Sequence, residues 1–194
     1  MLLACAALAA CAPWRRGGTG VASGSGASVV RVETPTTVGS GFFVGPGLVA
    51  TSAHVVGERR TATLVLDGDV EAVGQVVRLD RGRDVAILRS PLARPPLPLR
   101  ASGVRHGEPV AALGFAGGRR VVMRSTGTVH GVLDTMIVHD ARLAAGSSGG
   151  PLLDAAGRVL GMNAIRSYGG GAGHASDRGL AVRIDVVVAV LAAP

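Results

Sequence analysis

The hexapeptide Gly146-Ser147-Ser148-Gly149-Gly150-Pro151, followed by the apolar pair Leu152-Leu153, is the most informative stretch of the sequence. Glycines and a proline around adjacent serines predict a tight turn with exposed main-chain N–H groups, because glycine alone takes positive φ values without strain. A serine hydroxyl becomes a strong nucleophile only beside a base, and the oxyanion formed by its attack needs donors fixed in advance. Ser148 is therefore a candidate nucleophile, and the N–H groups of Gly146 and Ser148 are candidate oxyanion donors. On this hexapeptide alone, a plain Gly/Ser loop between strands remains the alternative.

Two upstream segments contain the groups that such a nucleophile needs. Thr51-Ser52-Ala53-His54-Val55-Val56 offers His54 as a general base, and Asp84-Val85-Ala86-Ile87-Leu88 offers a carboxylate, Asp84, to orient it. The order His, Asp, Ser and the residues around each resemble the chymotrypsin-like (trypsin-like) serine proteases. The resemblance is closest to the HtrA/DegP-type protease domain without a PDZ domain.

This resemblance extends from about residue 29 to residue 190 and includes several motifs in order. They are Gly39-Ser40-Gly41-Phe42-Phe43-Val44, the segments 48–56 and 80–88, Asp140-Ala141-Arg142-Leu143, and Gly157-Arg158-Val159-Leu160-Gly161-Met162-Asn163. It implies an all-β fold of two six-stranded antiparallel β-barrels with a short C-terminal helix. It also implies a serine endopeptidase that acts on protein or peptide substrates through an acyl-enzyme, with no metal or cofactor.

Two choices among neighbouring residues follow from position. Asp84 directly precedes the apolar strand 85–88, so we prefer it to Asp80 as the buried orienting carboxylate. Ser148 precedes Gly-Gly-Pro as the family nucleophile does, whereas Ser147 occupies a position that holds Asp in trypsin-like enzymes and usually Asn in the HtrA type. We therefore expect no activation by an N-terminal ion pair.

Substrate-binding residues are implied by the resemblance alone. Arg142, six residues before Ser148, lies where the family lines the pocket for P1, the substrate residue before the scissile bond. Facing the pocket, its guanidinium would favour an acidic P1 residue or shrink the pocket; facing solvent, it would do neither. The main chain of Ala164, Ile165 and Arg166 is expected to pair with substrate as an added strand, beside a mobile glycine-rich loop, Ser167–Arg178.

Composition excludes other classes of function. The 194 residues are 47% hydrophobic and 17% charged, which is typical of a folded domain. The formal charge is +7, but the basic residues are dispersed arginines and only 3% of residues are aromatic, so we expect no nucleic-acid binding. Cys5 and Cys11 both lie in the first eleven residues, which excludes a disulfide or a cysteine-ligated metal site in the body of the protein.

The N-terminal segments predict export. Residues 1–11 resemble a signal peptide whose Leu8-Ala9-Ala10-Cys11 forms a lipobox, so Cys11 is a candidate lipidation site and membrane anchor. An Ala-rich segment with an incidental cysteine is the alternative, because no arginine or lysine precedes the apolar run. Residues 12–28 are rich in Gly, Ser and Arg and predict a flexible tether. We expect an extracytoplasmic protein that is periplasmic, secreted or a cell-surface lipoprotein.

Residues 29–193 form the predicted protease domain, with a first barrel at about 29–90, a proline-rich crossover at 91–103 and a second barrel at about 104–185. Short apolar runs between turn residues predict the strands Val29–Glu33, Gly41–Val44, Leu48–Thr51, Thr61–Leu66, Glu71–Asp80, Val85–Arg89, Pro109–Gly114, Arg120–Ser125, Gly127–Val132, Thr135–His139, Pro151–Leu153, Val159–Ile165 and Gly179–Arg183. His54 is expected on a single helical turn. Asp185 is expected to cap a final helix, Val186–Ala193.

Four histidines have no matching motif or metal-ligand spacing, and we interpret them as structural or solvated: His106, His130, His139 and His174. Two alternatives to an active protease remain. A non-catalytic or latent protease-like module would bind peptides without turnover. An esterase with the same three groups is disfavoured, because α/β-hydrolases need long helices that this pattern lacks.

Overall fold

The structure is a computed structural model that describes residues 15–16, 25–66, 70–164 and 178–193. Within these ranges the strands are β1 (Arg15–Arg16), β2 (Val29–Glu33), β3 (Val38–Gly45), β4 (Leu48–Thr51), β5 (Thr61–Val65), β6 (Glu71–Asp80), β7 (Val85–Arg89), β8 (Pro109–Gly114), β9 (Met123–Val132), β10 (Met136–His139), β11 (Pro151–Leu153), β12 (Val159–Ala164) and β13 (Gly179–Arg183). Two α-helices are present there, α1 (Ala53–Val56) and α2 (Ile184–Ala192).

The first six-stranded barrel is closed and antiparallel, with the order β2-β3-β4-β7-β6-β5. β5 closes the ring by pairing with β2. Because side chains alternate across a strand, each strand directs one set of apolar residues inward. Val32, Phe43, Leu64 and Leu88 belong to this interior cluster and are fully buried.

The second barrel has the strand order β9-β10-β13-β12-β11-β8, and the pairing of β8 with β9 closes it. Val129, Ile137, Leu152 and Leu160 lie in its interior cluster. The two closed antiparallel barrels and the short C-terminal helix confirm the fold predicted from the sequence.

A third apolar cluster joins the two barrels. Phe42 and Ile87 from the first barrel pack in one cluster with Phe115 and Met162 from the second, and α2 adds Val187. The expectation that Asp185 caps this helix was wrong, because α2 begins at Ile184, two residues before the predicted start, and Asp185 lies in its first turn. There the carboxylate complements the positive end of the helix dipole and pairs with Arg183 at 2.6 Å.

One other local expectation was wrong. The predicted strands Arg120–Ser125 and Gly127–Val132 are one strand, β9, which pairs with β8 along its first half and with β10 along its second. Gly127 marks a close approach to the backbone at Ala141 within this strand, and it does not end the strand.

Parts of the predicted tether belong to the folded protein. β1 pairs with β9, and a 3₁₀ turn at Ser25–Ser28 has Ser25 and Ser28 buried. The Ser28 hydroxyl donates to the carbonyl of Pro95 in the crossover at 2.7 Å. The crossover is held to the second barrel by Arg100, whose guanidinium pairs with Glu108 at 2.6 Å and with Asp154 at 2.8 Å. Within the described ranges, no helix combines the length and the apolar character needed to span a bilayer.

Candidate active site

Asp84 organises the short helix that presents His54. The main-chain carbonyl of Asp84 accepts a hydrogen bond from Ala53 N–H at 3.2 Å, and its Oδ1 accepts one from His54 N–H at 3.0 Å. Main-chain N–H groups in the first turn of a helix have no partner within the helix, and these two bonds satisfy them in α1. Ser52, the residue before the helix, makes no side-chain cap. Asp84 has a φ of 56°, a left-handed conformation that aspartate tolerates better than most residues.

The His54 imidazole contacts the same carboxylate. Its Nδ1 lies 3.0 Å from Asp84 Oδ1 and 2.9 Å from Asp84 Oδ2. The Asp84 side chain is only 12% exposed, whereas the His54 side chain is 48% exposed. A buried carboxylate thus fixes one edge of a ring that stays accessible to solvent. A carboxylate at Nδ1 sets the tautomer of the imidazole.

Asp80, the carboxylate that we did not prefer, has a different environment. It accepts a hydrogen bond from Arg83 N–H at 2.9 Å and pairs with the Arg83 guanidinium at 2.7 Å. These contacts, led by the main-chain N–H, hold the pKa of Asp80 below its ordinary value. Asp80 therefore stabilises the turn before β7, and the structure brings Asp84 to His54.

The turn that contains Ser148 packs against the first barrel. Ser148 is 4% exposed, and its carbonyl accepts a hydrogen bond from Ser40 N–H at 2.8 Å. Gly149 has a φ of 85°, and a Cβ there would collide with the main chain of Ser40 and lie 2.9 Å from Ser52 N. The turn therefore lies against the end of β4, directly before the helix of His54. The fold brings together two segments that are almost a hundred residues apart in the sequence.

Main-chain hydrogen bonds hold the turn before Ser148. Ser147 N–H donates to Ala144 O at 2.9 Å, and Ala145 O accepts from Gly117 N–H at 2.7 Å. Gly146 has a φ of 93°. Because C=O and N–H point in opposite directions across a trans peptide, the Gly146 N–H points away from Gly117. This direction is fixed by the bond that the Ala145 carbonyl makes.

Ser147 has a local role in the same turn. It is buried, and its hydroxyl accepts a hydrogen bond from Ala144 N–H at 3.2 Å. This bond stabilises the turn without a charged partner. That cleavage near the N-terminus does not activate the protein stays a prediction.

The residues predicted to bind substrate are only partly described. Arg142 is exposed at the surface, and its carbonyl accepts a hydrogen bond from Ser125 Oγ at 2.6 Å. Ala164 ends β12, is buried and pairs with Leu180 of β13. Ile165, Arg166 and the loop up to residue 177 lie outside the described residues, as does Cys11.

The histidines of the second barrel have environments that the sequence did not indicate. His130 Nε2 lies 2.8 Å from Asp140 Oδ2. Burial alone would raise the pKa of the Asp140 carboxyl, but hydrogen bonds from His130 and from Thr128 N–H hold it below its ordinary value. His139 is fully buried, and within the described ranges neither ring nitrogen has a hydrogen-bond partner.

The fold and this site define a trypsin-like peptidase domain. The sequence model of the trypsin-like peptidase domain matches residues 39–162, and the chain belongs to this family. The serine protease Rv3671c of Mycobacterium tuberculosis is 36% identical over 139 residues, which cover 64% of this chain and 35% of that protein. A DegP-like periplasmic serine endoprotease of Brucella suis is 35% identical over 152 residues, which cover 72% of this chain and 30% of that protein.

Structural comparison gives the same family. The crystal structure of the inactive form of the Rv3671c protease matches with a TM-score of 0.74 and 29% identity, covering 87% of this chain and 89% of that chain. The resemblance to HtrA/DegP-type proteases in the sequence is thereby confirmed. This chain spans about a third of the length of the curated relatives described above.

Proposed function

We propose that this chain is a serine endopeptidase domain that hydrolyses peptide bonds through an acyl-enzyme on Ser148. The observation that carries the proposal is the contact of His54 Nδ1 with the buried Asp84 carboxylate at 2.9 Å, beside the glycine turn of Ser148. Membership of the trypsin-like peptidase family supports it.

Each group has one role in the proposed reaction. His54 removes the proton from Ser148 Oγ as this oxygen attacks the carbonyl carbon of the substrate, and Asp84 holds the imidazole and stabilises its protonated form. The N–H groups of Gly146 and Ser148 donate to the oxyanion of the tetrahedral intermediate. His54 then passes its proton to the leaving amine. Water activated by His54 hydrolyses the acyl-enzyme and regenerates the Ser148 hydroxyl.

The substrate of this proposal is an extended protein segment. Substrate would pair in strand form with the main chain that continues from Ala164, the last residue of β12. The Arg142 side chain is exposed to solvent, which favours the interpretation in which it leaves the P1 pocket uncharged. A library of peptides that vary at P1 should then show preference for small aliphatic residues, and cleavage after Asp or Glu would contradict this.

Labelling with a fluorophosphonate probe tests the catalytic proposal. We expect the wild-type protein to be labelled, and Ser148→Ala and His54→Ala to lose the labelling. Ser147→Ala is the matched control, because it removes the neighbouring buried serine and should still be labelled. Labelling of Ser148→Ala would contradict the assignment of the nucleophile. Folded wild-type protein that is labelled only after a peptide is added would indicate the latent form.

We also propose that the protein is exported and anchored through Cys11, and that it acts on misfolded proteins of the cell envelope. The name of the periplasmic relative supports the compartment. Metabolic labelling with radioactive palmitate, in cells that produce the wild type or Cys11→Ala, tests the anchor. We expect label on the wild type alone. An unlabelled wild type found in the soluble fraction would contradict it.

A further inference from the structure

Ser40 joins the first barrel to the turn that precedes Ser148. It lies in β3 and is fully buried, and its hydroxyl both donates and accepts a hydrogen bond. The Oγ–H donates to the carbonyl of Gly146 at 2.6 Å, and the same Oγ accepts a hydrogen bond from Phe115 N–H at 2.9 Å. One side chain therefore connects two segments of the second barrel to a strand of the first.

The main chain of Ser40 makes further bonds in the same place. Its N–H donates to the Ser148 carbonyl at 2.8 Å, and its carbonyl accepts from Thr51 Oγ at 2.7 Å. Ser40 thus holds the carbonyls of Gly146 and Ser148, the two residues whose N–H groups are the proposed oxyanion donors. None of these bonds requires a bound substrate.

Gly146 needs such anchors because glycine loses more conformational freedom than any other residue when it is fixed. The peptide before Gly146 is oriented by the bond from Gly117 N–H to the Ala145 carbonyl at 2.7 Å. The peptide after Gly146 is oriented by Ser40 Oγ. The Gly146 N–H lies in the first of these planes. The second plane, which Ser40 holds, limits the rotation of Gly146 about φ and ψ and so helps to keep the first plane in place. Donors held in place before the reaction are the ones that lower its barrier.

We propose that Ser40 is a positioning residue of the oxyanion site, which acts through the Gly146 peptide without touching substrate. The inference rests on the proposed peptidase function. The alternative is a purely structural role for Ser40. Its buried hydroxyl would then contribute to stability and leave the rate of the chemical step unchanged.

Ser40→Ala tests this proposal, with Ser28→Ala as the matched control. Ser28 is also a buried serine next to the first barrel, and its hydroxyl donates to the carbonyl of Pro95 in the crossover at 2.7 Å, not to the Ser148 turn. We expect Ser40→Ala to lower kcat roughly 10- to 100-fold with KM unchanged, less than the roughly 10²- to 10³-fold effect of removing an oxyanion donor itself. Ser28→Ala should keep the wild-type kcat even where both variants lose thermal stability.

Inhibitor binding separates positioning from a structural role. A peptide aldehyde forms a tetrahedral oxyanion on the serine, whereas the corresponding peptide alcohol forms none. Affinity of Ser40→Ala for the aldehyde should fall by the same factor as kcat, and affinity for the alcohol should not change. Wild-type kcat and aldehyde affinity in folded Ser40→Ala would overturn the inference.

A second variant covers the case in which Ser40→Ala does not fold. Ser40→Cys keeps a side chain of similar shape but has a weaker donor, so it should show a smaller decrease in kcat with KM unchanged. An unchanged kcat in Ser40→Cys would overturn the inference. A wild-type protein that neither reacts with fluorophosphonate nor cleaves peptides would overturn the proposed function and this inference together. An active wild type with an equally active Ser40→Ala would overturn the inference alone.

Discussion

The buried imidazole of His139 should make the stability of this protein depend on pH in the mildly acidic range. His139 ends β10, is fully buried, and lies close to Gly179 of β13. Burial lowers the pKa of His139 from 6.5 to about 4, although the negative charge of Asp140 and the nearby main chain of Ala141 oppose the decrease, and His130 adds to it. The folded protein therefore keeps this imidazole neutral at a pH where the unfolded chain protonates it.

The sign and size of the effect follow from proton linkage. Between pH 6.5 and pH 4 the unfolded state binds a proton that the folded state does not, so stability falls as the pH falls through this window. Relative to pH 8, the two pKa values give a loss of about 1 kcal/mol at pH 6, about 2 kcal/mol at pH 5 and about 3 kcal/mol at pH 4.

Urea unfolding of the wild type and of His139→Leu, measured at pH 8, 6, 5 and 4, tests this reasoning. Repacking around leucine changes the free energy of unfolding by an amount that does not depend on pH. The difference between the two proteins should therefore shift in favour of His139→Leu as the pH falls. Ser28→Ala, which removes a buried polar group that does not titrate, should differ from the wild type by a constant. A difference between the wild type and His139→Leu that stays the same from pH 8 to pH 4 would refute the argument.

Three further predictions concern the site and its support. Asp154→Asn should lower the free energy of unfolding by about 2 kcal/mol in urea, because Arg100 and Arg158 both lose a carboxylate partner while Arg100 keeps Glu108. An unchanged free energy of unfolding would contradict this. Asp84→Asn should fold, since an amide oxygen can still accept from the main-chain N–H of His54. It should lower kcat roughly 10⁴-fold, because the amide favours the wrong tautomer of the His54 imidazole. A kcat within tenfold of the wild type would contradict this. Gly149→Ala should lose more than about 3 kcal/mol of stability, because its new Cβ would collide with the main chain of Ser40. Gly103→Ala, which has a φ of 73° but open space around it, should lose only about 1 kcal/mol. Equal losses in the two variants would show that backbone strain alone matters.

Much of the fold could be predicted because its signals are local. The bounds of β2, β4, β6, β7, β8, β11 and β13 agree with the sequence prediction. These strands are short apolar runs between turn residues, and both features depend on neighbours in the chain. The single helical turn of His54 was also predicted and is confirmed by α1. Predictions failed where tertiary contacts decide: two strands were predicted on either side of residue 126, yet the strand is continuous there, and its Gly127 lies beside Ala141.

The types and the order of the candidate catalytic residues could be predicted from the sequence. The buried hydrogen bonds that hold their segments in place could not. His54, Asp84 and Ser148 stand in distinctive local sequences, and their roles stay predictions that the labelling experiment tests. The bond from Ser40 Oγ to Gly146 joins residues 106 positions apart, and no pattern within either segment indicates it. His139 is buried, and its ring nitrogens have no hydrogen-bond partner among the described residues. This environment likewise depends on what the barrel interior contains.

The sequence by itself determined the strand pattern, the turn chemistry and the identity of the candidate catalytic groups, because local backbone preferences and short motifs depend on adjacent residues. Only the tertiary structure decided that Asp84 contacts both the ring and the main-chain N–H of His54, that Arg142 is exposed, and that Ser40 anchors the turn before Ser148. The physical reason is that each of these contacts depends on the packing of two separately closed barrels. Distances across such a junction are set by the whole set of buried side chains, and no single segment of the chain contains that information.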